Sequence, residues 1–242
     1  MSGNRPATSP EHGSAARPEM LPERRLQRVL ERFLPPRFAR FVATDVTVTT
    51  HAPAGVATLL NPVPPTPYSY VRGSKIALAG VIVAVSLLPD LFAAGLLIPH
   101  RVWWAGALIV ATEIWGCAWL FGLYGTMARR PHEVACTHVV LRNGIFQTVR
   151  FAPEEIETAR TVGVVKRYRL PAEAGRERCV LGFGGTPLVH VVLKSPAYEE
   201  HLLLPRTREV WDVYAPSDVP QALCAALLEA RRSTSNVTAS VS

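Results

Sequence analysis

The hydrophobic and polar positions of this chain fall into stretches of different periodicity. Residues 1–20 are rich in Ser, Pro, Gly and Ala and carry few large apolar groups; such a segment buries too little surface to offset chain entropy, and a disordered tail is expected. Leu26, Val29, Leu30, Phe33 and Leu34 then recur at helical spacing, with Arg24, Arg25, Arg28 and Arg32 on the other faces, until Pro35-Pro36 ends the run. This short helix is suited either to an anionic membrane surface or to packing on the protein itself. In FVATDVTVTTHA the β-branched Val42, Val46 and Val48 predict a strand. The proline-crowded NPVPPTPYSY reads as an extended linker, with Tyr68 and Tyr70 placed for a membrane interface.

The longest apolar stretch, residues 76–128, is broken only at Pro99-His100-Arg101. Each half matches the roughly 20 apolar residues that a helix needs to cross a bilayer, so a tight two-helix transmembrane hairpin is expected. Gly80 with Ala84, and Ala107 with Ala111, supply small-xxx-small spacings for helix contact, and Trp103, Trp104 and Tyr124 supply interface anchors. Two acids interrupt the hairpin: Asp90, just after Pro89, and Glu113. Counted from His100 at 1.5 Å per residue they lie about 15 and about 20 Å deep. An ionised carboxylate there costs about 2.5–3.5 kcal/mol, which favours protonated, hydrogen-bonded acids. Asp90 and Glu113 are therefore a candidate intramembrane polar pair: packing glue within the chain or across a homo-oligomer, a seam for another membrane protein, or a proton or cation relay.

Beyond Arg129-Arg130 the pattern turns to short alternating runs. HVVLRNGIFQTVRF brackets Asn143-Gly144, the favoured pair for a two-residue type I′ hairpin. Pro153-Glu154-Glu155 predicts a helical turn, and TVGVVKRYRL, RCVLGFGG, LVHVVLK and REVWDVYA predict strands. Ser217-Asp218-Val219-Pro220 forms a helix N-cap and first turn. The helix that follows carries Ala222, Leu223, Ala226 and Leu227 on one face and is expected to end at Arg231-Arg232, before a disordered tail over 233–242. The fold class expected is an α+β membrane protein: a two-helix transmembrane hairpin, then a small antiparallel β barrel or sheet capped by a C-terminal helix. The divisions are a tail (1–20), a cytoplasmic amphipathic helix with a Pro-rich linker (21–75), the hairpin (76–128), the sheet domain (131–232) and a second tail (233–242).

Charge changes the picture chiefly through its location. The formal net charge is +7, but residues 131–242 hold thirteen Lys or Arg against twelve Asp or Glu, whereas residues 1–75 hold ten against five. The excess flanks the apolar stretch, which orients both termini to the cytoplasm and makes the lipid bilayer, not nucleic acid, the expected partner. Candidate anionic-lipid contacts are Arg24, Arg25, Arg28, Arg32, Arg129 and Arg130, with a second cluster at Lys166, Arg167 and Arg169. The scarcity of lysine, three against twenty-three arginines, fits a high-GC bacterial gene and hence a bacterial inner membrane. The first apolar run starts too late and runs too long for a signal peptide.

The four cysteines are scattered without metal or redox spacing. His138, His190 and His201 are isolated along predicted strands and read as packed or exposed side chains. No Walker loop, HExxH, GxSxG or CxxC pair occurs, and GFGGTP lacks the lysine and following helix of a phosphate loop. Neither catalysis nor a metal or other cofactor is expected, and no small-molecule substrate can be named.

Two stretches, CTHVVLRNGIFQTVRFAPEEIETARTV and EVWDVYAPSDVPQALCAAL, combine a hairpin, a short helical turn and a strand with a last strand that turns into a capped helix. In this order of elements, residues 134–230 resemble the bacterial PH-like (pleckstrin-homology-like) domain family, whose members are often attached to membrane helices. The resemblance implies a seven-stranded, helix-capped barrel that serves as a binding or oligomerisation module, with no catalytic residues to carry over. The basic cluster that phosphoinositide-binding relatives place on the first hairpin is reduced here to Arg142 and Arg150. The function expected is therefore a non-enzymatic membrane protein whose cytoplasmic domain is an interaction or scaffold module. The alternative is a small component of a transport or resistance system that uses Asp90 and Glu113.

Overall fold

A computed structural model describes residues 22–62, 64, 66–72, 75–97, 102–163, 177–182, 186–201 and 207–241. The chain is α+β, with a helical part followed by a mixed sheet and a C-terminal helix. The helical part comprises α1 (Pro22–Leu30), α2 (Pro36–Thr50), α3 (Ala52–Leu60), α4 (Ile76–Leu97) and α5 (Trp103–Arg129). The sheet comprises β1 (Glu133–Val134), β2 (Val139–Asn143), β3 (Gln147–Phe151), β4 (Ile156–Val162), β5 (Arg178–Val180), β6 (Leu188–His201) and β7 (Arg208–Pro216), and α6 (Pro220–Val241) closes the chain.

The strand expected over FVATDVTVTTHA is instead the helix α2. Its Ala39, Ala43 and Thr47, four residues apart, lie buried on one side, and that period of small residues overrides the strand preference of Val42, Val46 and Val48. A second helix, α3, follows at once, and Pro53 sits in its first turn where a missing N–H costs nothing. Both pack on the C-terminal half of α5 through glycines that bring backbone against backbone. A Cβ at Gly55 would overlap the Phe121 carbonyl, one at Gly122 the Val48 carbonyl, and one at Gly125 the His51 carbonyl. Residues 21–75 thus hold more than one helix and a linker.

Helix α4 runs through Pro89 and packs on α5, where Gly80 faces the Phe121 ring. Ala107 and Ala111, the other small pair, point outward. Among the described residues one helix, α5, is long and apolar enough to cross a membrane; α4 contributes the shorter apolar stretch Ile76–Ser86.

The sheet runs β1-β2-β3-β6-β7-β5, with β4 pairing the first half of β6. It is mixed rather than antiparallel throughout, because β5 lies parallel to β7. Strand β6 changes register against β7 between Val192 and Ala197, so its first half pairs β4 and its second half pairs β3. Pro196 falls in this irregularity, where its missing donor breaks no ladder bond. The core lies between the bent sheet and α6, whose Leu223 and Leu227 are fully buried against Leu141, Val149, Ile156 and Val213. That apolar stripe is the one the sequence predicts, but the helix continues past Arg232 to Val241, over the expected tail.

The β2–β3 hairpin forms where expected with a different tip. Asn143 pairs Gln147, leaving a three-residue loop with Gly144 at φ +56°. The reason is tertiary: Ile145 and Phe146 at the tip are buried among Leu123, Tyr124 and Met127 of α5 and Val48 of α2.

Candidate functional site

The helices and the sheet domain meet at a joint built by residues 66–72, the strand tip and the turn before α6. Tyr70, expected at a membrane interface, is fully buried here. Its hydroxyl donates to the Arg130 carbonyl at 2.9 Å and accepts the Gly144 N–H at 2.8 Å. It thereby satisfies two backbone groups that its own burial removes from water. Burial pushes the phenol pKa above its ordinary value, against opposing pulls from the Gly144 hydrogen bond and from Arg142 and Arg130.

His132 stacks on Tyr70 and bridges strands. Its own backbone N–H donates to the Tyr68 carbonyl at 2.9 Å. The Arg142 N–H donates to Nδ1 at 3.1 Å, and Nε2 lies 2.6 Å from the Pro216 carbonyl. With Nδ1 accepting, Nε2 carries the proton, so the ring is neutral. Burial is the main cause that lowers its pKa from 6.5 to about 4, the Pro216 hydrogen bond opposing and Arg142 assisting.

Asp218 is the third element. Its carboxylate accepts from the Ser69 hydroxyl (2.8 Å), the Val71 N–H (3.1 Å) and the Arg72 N–H (3.0 Å). Its own N–H donates to the Ser69 carbonyl at 2.8 Å. The helix-start signal Ser217-Asp218 is thus divided. Ser217 Oγ accepts the Val219 N–H and donates to the Pro67 carbonyl, while Asp218 holds the segment that precedes α4. Trp119 of α5 lies against Phe146 with ring centroids 6.4 Å apart. The joint is a polar clip surrounded by apolar contacts.

A second buried polar group lies within the sheet. His190 Nε2 is 2.7 Å from Asp212 Oδ1, and Arg160 Nε donates to His190 Nδ1 at 3.2 Å. The His190 ring stacks on Tyr214 at 4.2 Å with planes 1° apart. His190 and Asp212 are both buried; the geometry satisfies His190 and locks β4, β6 and β7 together. His138, by contrast, is exposed and pairs with Glu133 at 3.0 Å. That hydrogen bond, with help from Arg142, holds the Glu133 carboxyl below its usual value against partial desolvation.

Glu113 lies half-buried on α5, and Asp90 lies on α4 with its side chain outside the described residues. Arg28, Arg32 and Arg129 are exposed and Arg130 half-buried. The side chains of Arg24 and Arg25, and all of Lys166, Arg167 and Arg169, lie outside the described residues. An acid not singled out in the sequence, Asp45 of α2, accepts from Trp115 Nε1 of α5 at 3.4 Å. The available signal for Gly122 and Gly125 was their spacing of three, which places two missing side chains on one helix face. Nothing local marks Tyr70 or Asp218, whose partners lie 60 or more residues away. The cysteines are free, and among the described residues no group of three His, Cys, Asp or Glu side chains is arranged to hold a metal.

Comparison with family models, with curated proteins and with solved structures returned no match.

Proposed function

We propose that this chain is a bacterial inner-membrane protein in which α4 and α5 form a membrane hairpin, and in which the sheet domain is a PH-like interaction or oligomerisation module at the cytoplasmic face. The observation that carries this reading is the outward orientation of apolar side chains on α5. From Val102 to Phe121 every residue except Gly106 is exposed or half-buried, including Trp103, Trp104, Leu108 and Ile114. Twenty residues at 1.5 Å each give about 30 Å, the thickness of a bilayer's hydrocarbon core. From Gly122 to Met127 the helix is instead buried in the joint. An apolar helix in the core of a soluble domain has the reverse distribution.

The seven strands and packed C-terminal helix support the PH-like reading, and the basic residues at both outer ends support cytoplasmic termini. The clip of Tyr70, His132 and Asp218 supports a presentation role, since it fixes the sheet domain's height and angle relative to the anchor. Partner capture from detergent extracts tests this. The full chain should retain its partner, or its self-association, when Asp90→Asn and Glu113→Gln are combined, and lose it when residues 131–242 are deleted. If the paired acid substitutions alone abolish the phenotype in a pH-dependent way, the transport alternative takes its place.

A further inference from the structure

Helices α2 and α3 carry their side chains inside out. On α2 the residues facing the protein are small, Ala39 (0% exposed), Ala43, Thr44 and Thr47, with Val48. The large apolar ones, Phe38 (54%), Phe41 (57%) and Val46, face outward. On α3, Ala54 and Gly55 are buried while Val56 and Leu60 (72%) face outward. Small residues inward and large apolar residues outward is how helices pack in lipid, where close backbone approach rather than water exclusion drives association. A water-exposed helix arranges these residues the other way.

We propose that α2 and α3 are a further membrane-embedded element beside α5, with Phe38, Phe41, Val46 and Leu60 against lipid acyl chains. The proposal rests on the reading that α5 lies in the bilayer, and three observations extend that reading to α2 and α3. The first is register. Val48 meets Gly122 and His51 meets Gly125, so α2 runs parallel to α5, and Asp45 reaches Trp115. Trp115 belongs to the outward-facing apolar stretch of α5, so α2 lies alongside the part assigned to lipid. The second is polar satisfaction. The hydroxyls of Thr44, Thr47 and Thr58 donate to the carbonyls four residues back, at 2.8, 2.7 and 2.8 Å, which is how hydroxyls are accommodated where no water is present. Asp45 takes the Trp115 N–H on Oδ2, and Arg37, the second residue of α2, is exposed, with a long apolar stem that lets its charged head lie away from the helix.

The third observation is continuity. The outward faces of α2, α4 and α5 are largely apolar, with Phe38, Phe41, Val46, Ile82, Val85, Leu108 and Ile114 exposed beside a few polar side chains, Arg37, Ser86 and Thr112; a bilayer covers such a surface on several helices at once.

Photo-crosslinking of the full chain in phosphatidylethanolamine–phosphatidylglycerol vesicles tests this. Phe41→p-benzoylphenylalanine keeps an aromatic ring at an outward position; the same replacement is made at outward-facing Leu108 on α5 and at exposed Tyr198 on the sheet domain. The expected result is a lipid adduct at position 41 as abundant as at 108, and none at 198. An adduct at 108 with none at 41 overturns the proposal and leaves the α5 reading standing. A crosslinked dimer at 41 in place of lipid overturns it in favour of a second copy covering this face. Absence of adducts at both 41 and 108 overturns both.

Discussion

Tyr70 and His132 stack with ring centroids 4.6 Å apart and planes 23° from parallel, and each ring carries hydrogen bonds that cross the joint. Tyr70 ties the start of the α4 segment to the end of α5 and to the β2–β3 tip. His132 ties that same segment to β2 and β7. Removing either side chain strands backbone groups that water does not reach.

Tyr70→Phe keeps the ring and deletes the hydroxyl. The C=O of half-buried Arg130 and the buried Gly144 N–H then lose this hydrogen bond. Each unsatisfied group costs about 1–3 kcal/mol, so the variant should show a clearly lowered thermal midpoint in detergent. An unchanged midpoint contradicts the role assigned to the hydroxyl.

His132 predicts an acid-sensitive joint. Its folded pKa is lowered from 6.5 to about 4, so the unfolded chain binds a proton first as pH falls. The stabilisation of the neutral ring is fully present above pH 6.5 and declines between 6.5 and about 4, by about 3 kcal/mol in all. Glu133 acts lower. Its carboxyl is held below 4.5 in the folded chain, so its contribution is present above that value and disappears only as pH falls through the lower one. Denaturation midpoints of wild type should drop across the His132 window, whereas His132→Phe should be weaker at pH 8 and flat between pH 6.5 and 5.

The glycines of α5 give a contrast within one helix. Gly122→Ala places a methyl on the Val48 carbonyl, whereas nothing lies within 4 Å of a Cβ at Gly116. Overpacking of this kind costs about 1–3 kcal/mol, so Gly122→Ala should destabilise and move α2 off α5, read as a shift in Trp115 emission. Gly116→Ala should be neutral or slightly stabilising, since Ala is favoured over Gly in a helix by up to about 1 kcal/mol.

Much of the sheet and of α5 and α6 was legible because their stripes are strong. An alternating run either side of Asn143-Gly144 and the Leu223–Leu227 face leave little choice of partner. Helix α2 was not legible, because Val42, Val46 and Val48 favour a strand locally and the deciding contacts, Val48 with Gly122 and His51 with Gly125, are about 74 residues apart in sequence. The joint was hidden for a different reason. Asp218 stands where a helix cap belongs, and only the folded chain shows its carboxylate turned to Ser69, Val71 and Arg72.

Asp218→Ala should therefore leave α6 in place and loosen the segment before α4. Ser217 still caps Val219 at 3.1 Å, so helical content by circular dichroism should hold. Limited proteolysis between residues 66 and 75 should accelerate, and protection of that segment equal to wild type argues against the clip.

The role proposed for the joint, to hold the sheet domain on a membrane anchor formed by α4 and α5, is tested by one direct measurement. Membranes carrying the full chain are washed with alkaline carbonate, which strips peripheral proteins and leaves integral ones. The chain should stay quantitatively with the membrane pellet, as expected for helices whose apolar faces meet lipid. Recovery in the supernatant, as a folded and monodisperse species, contradicts it.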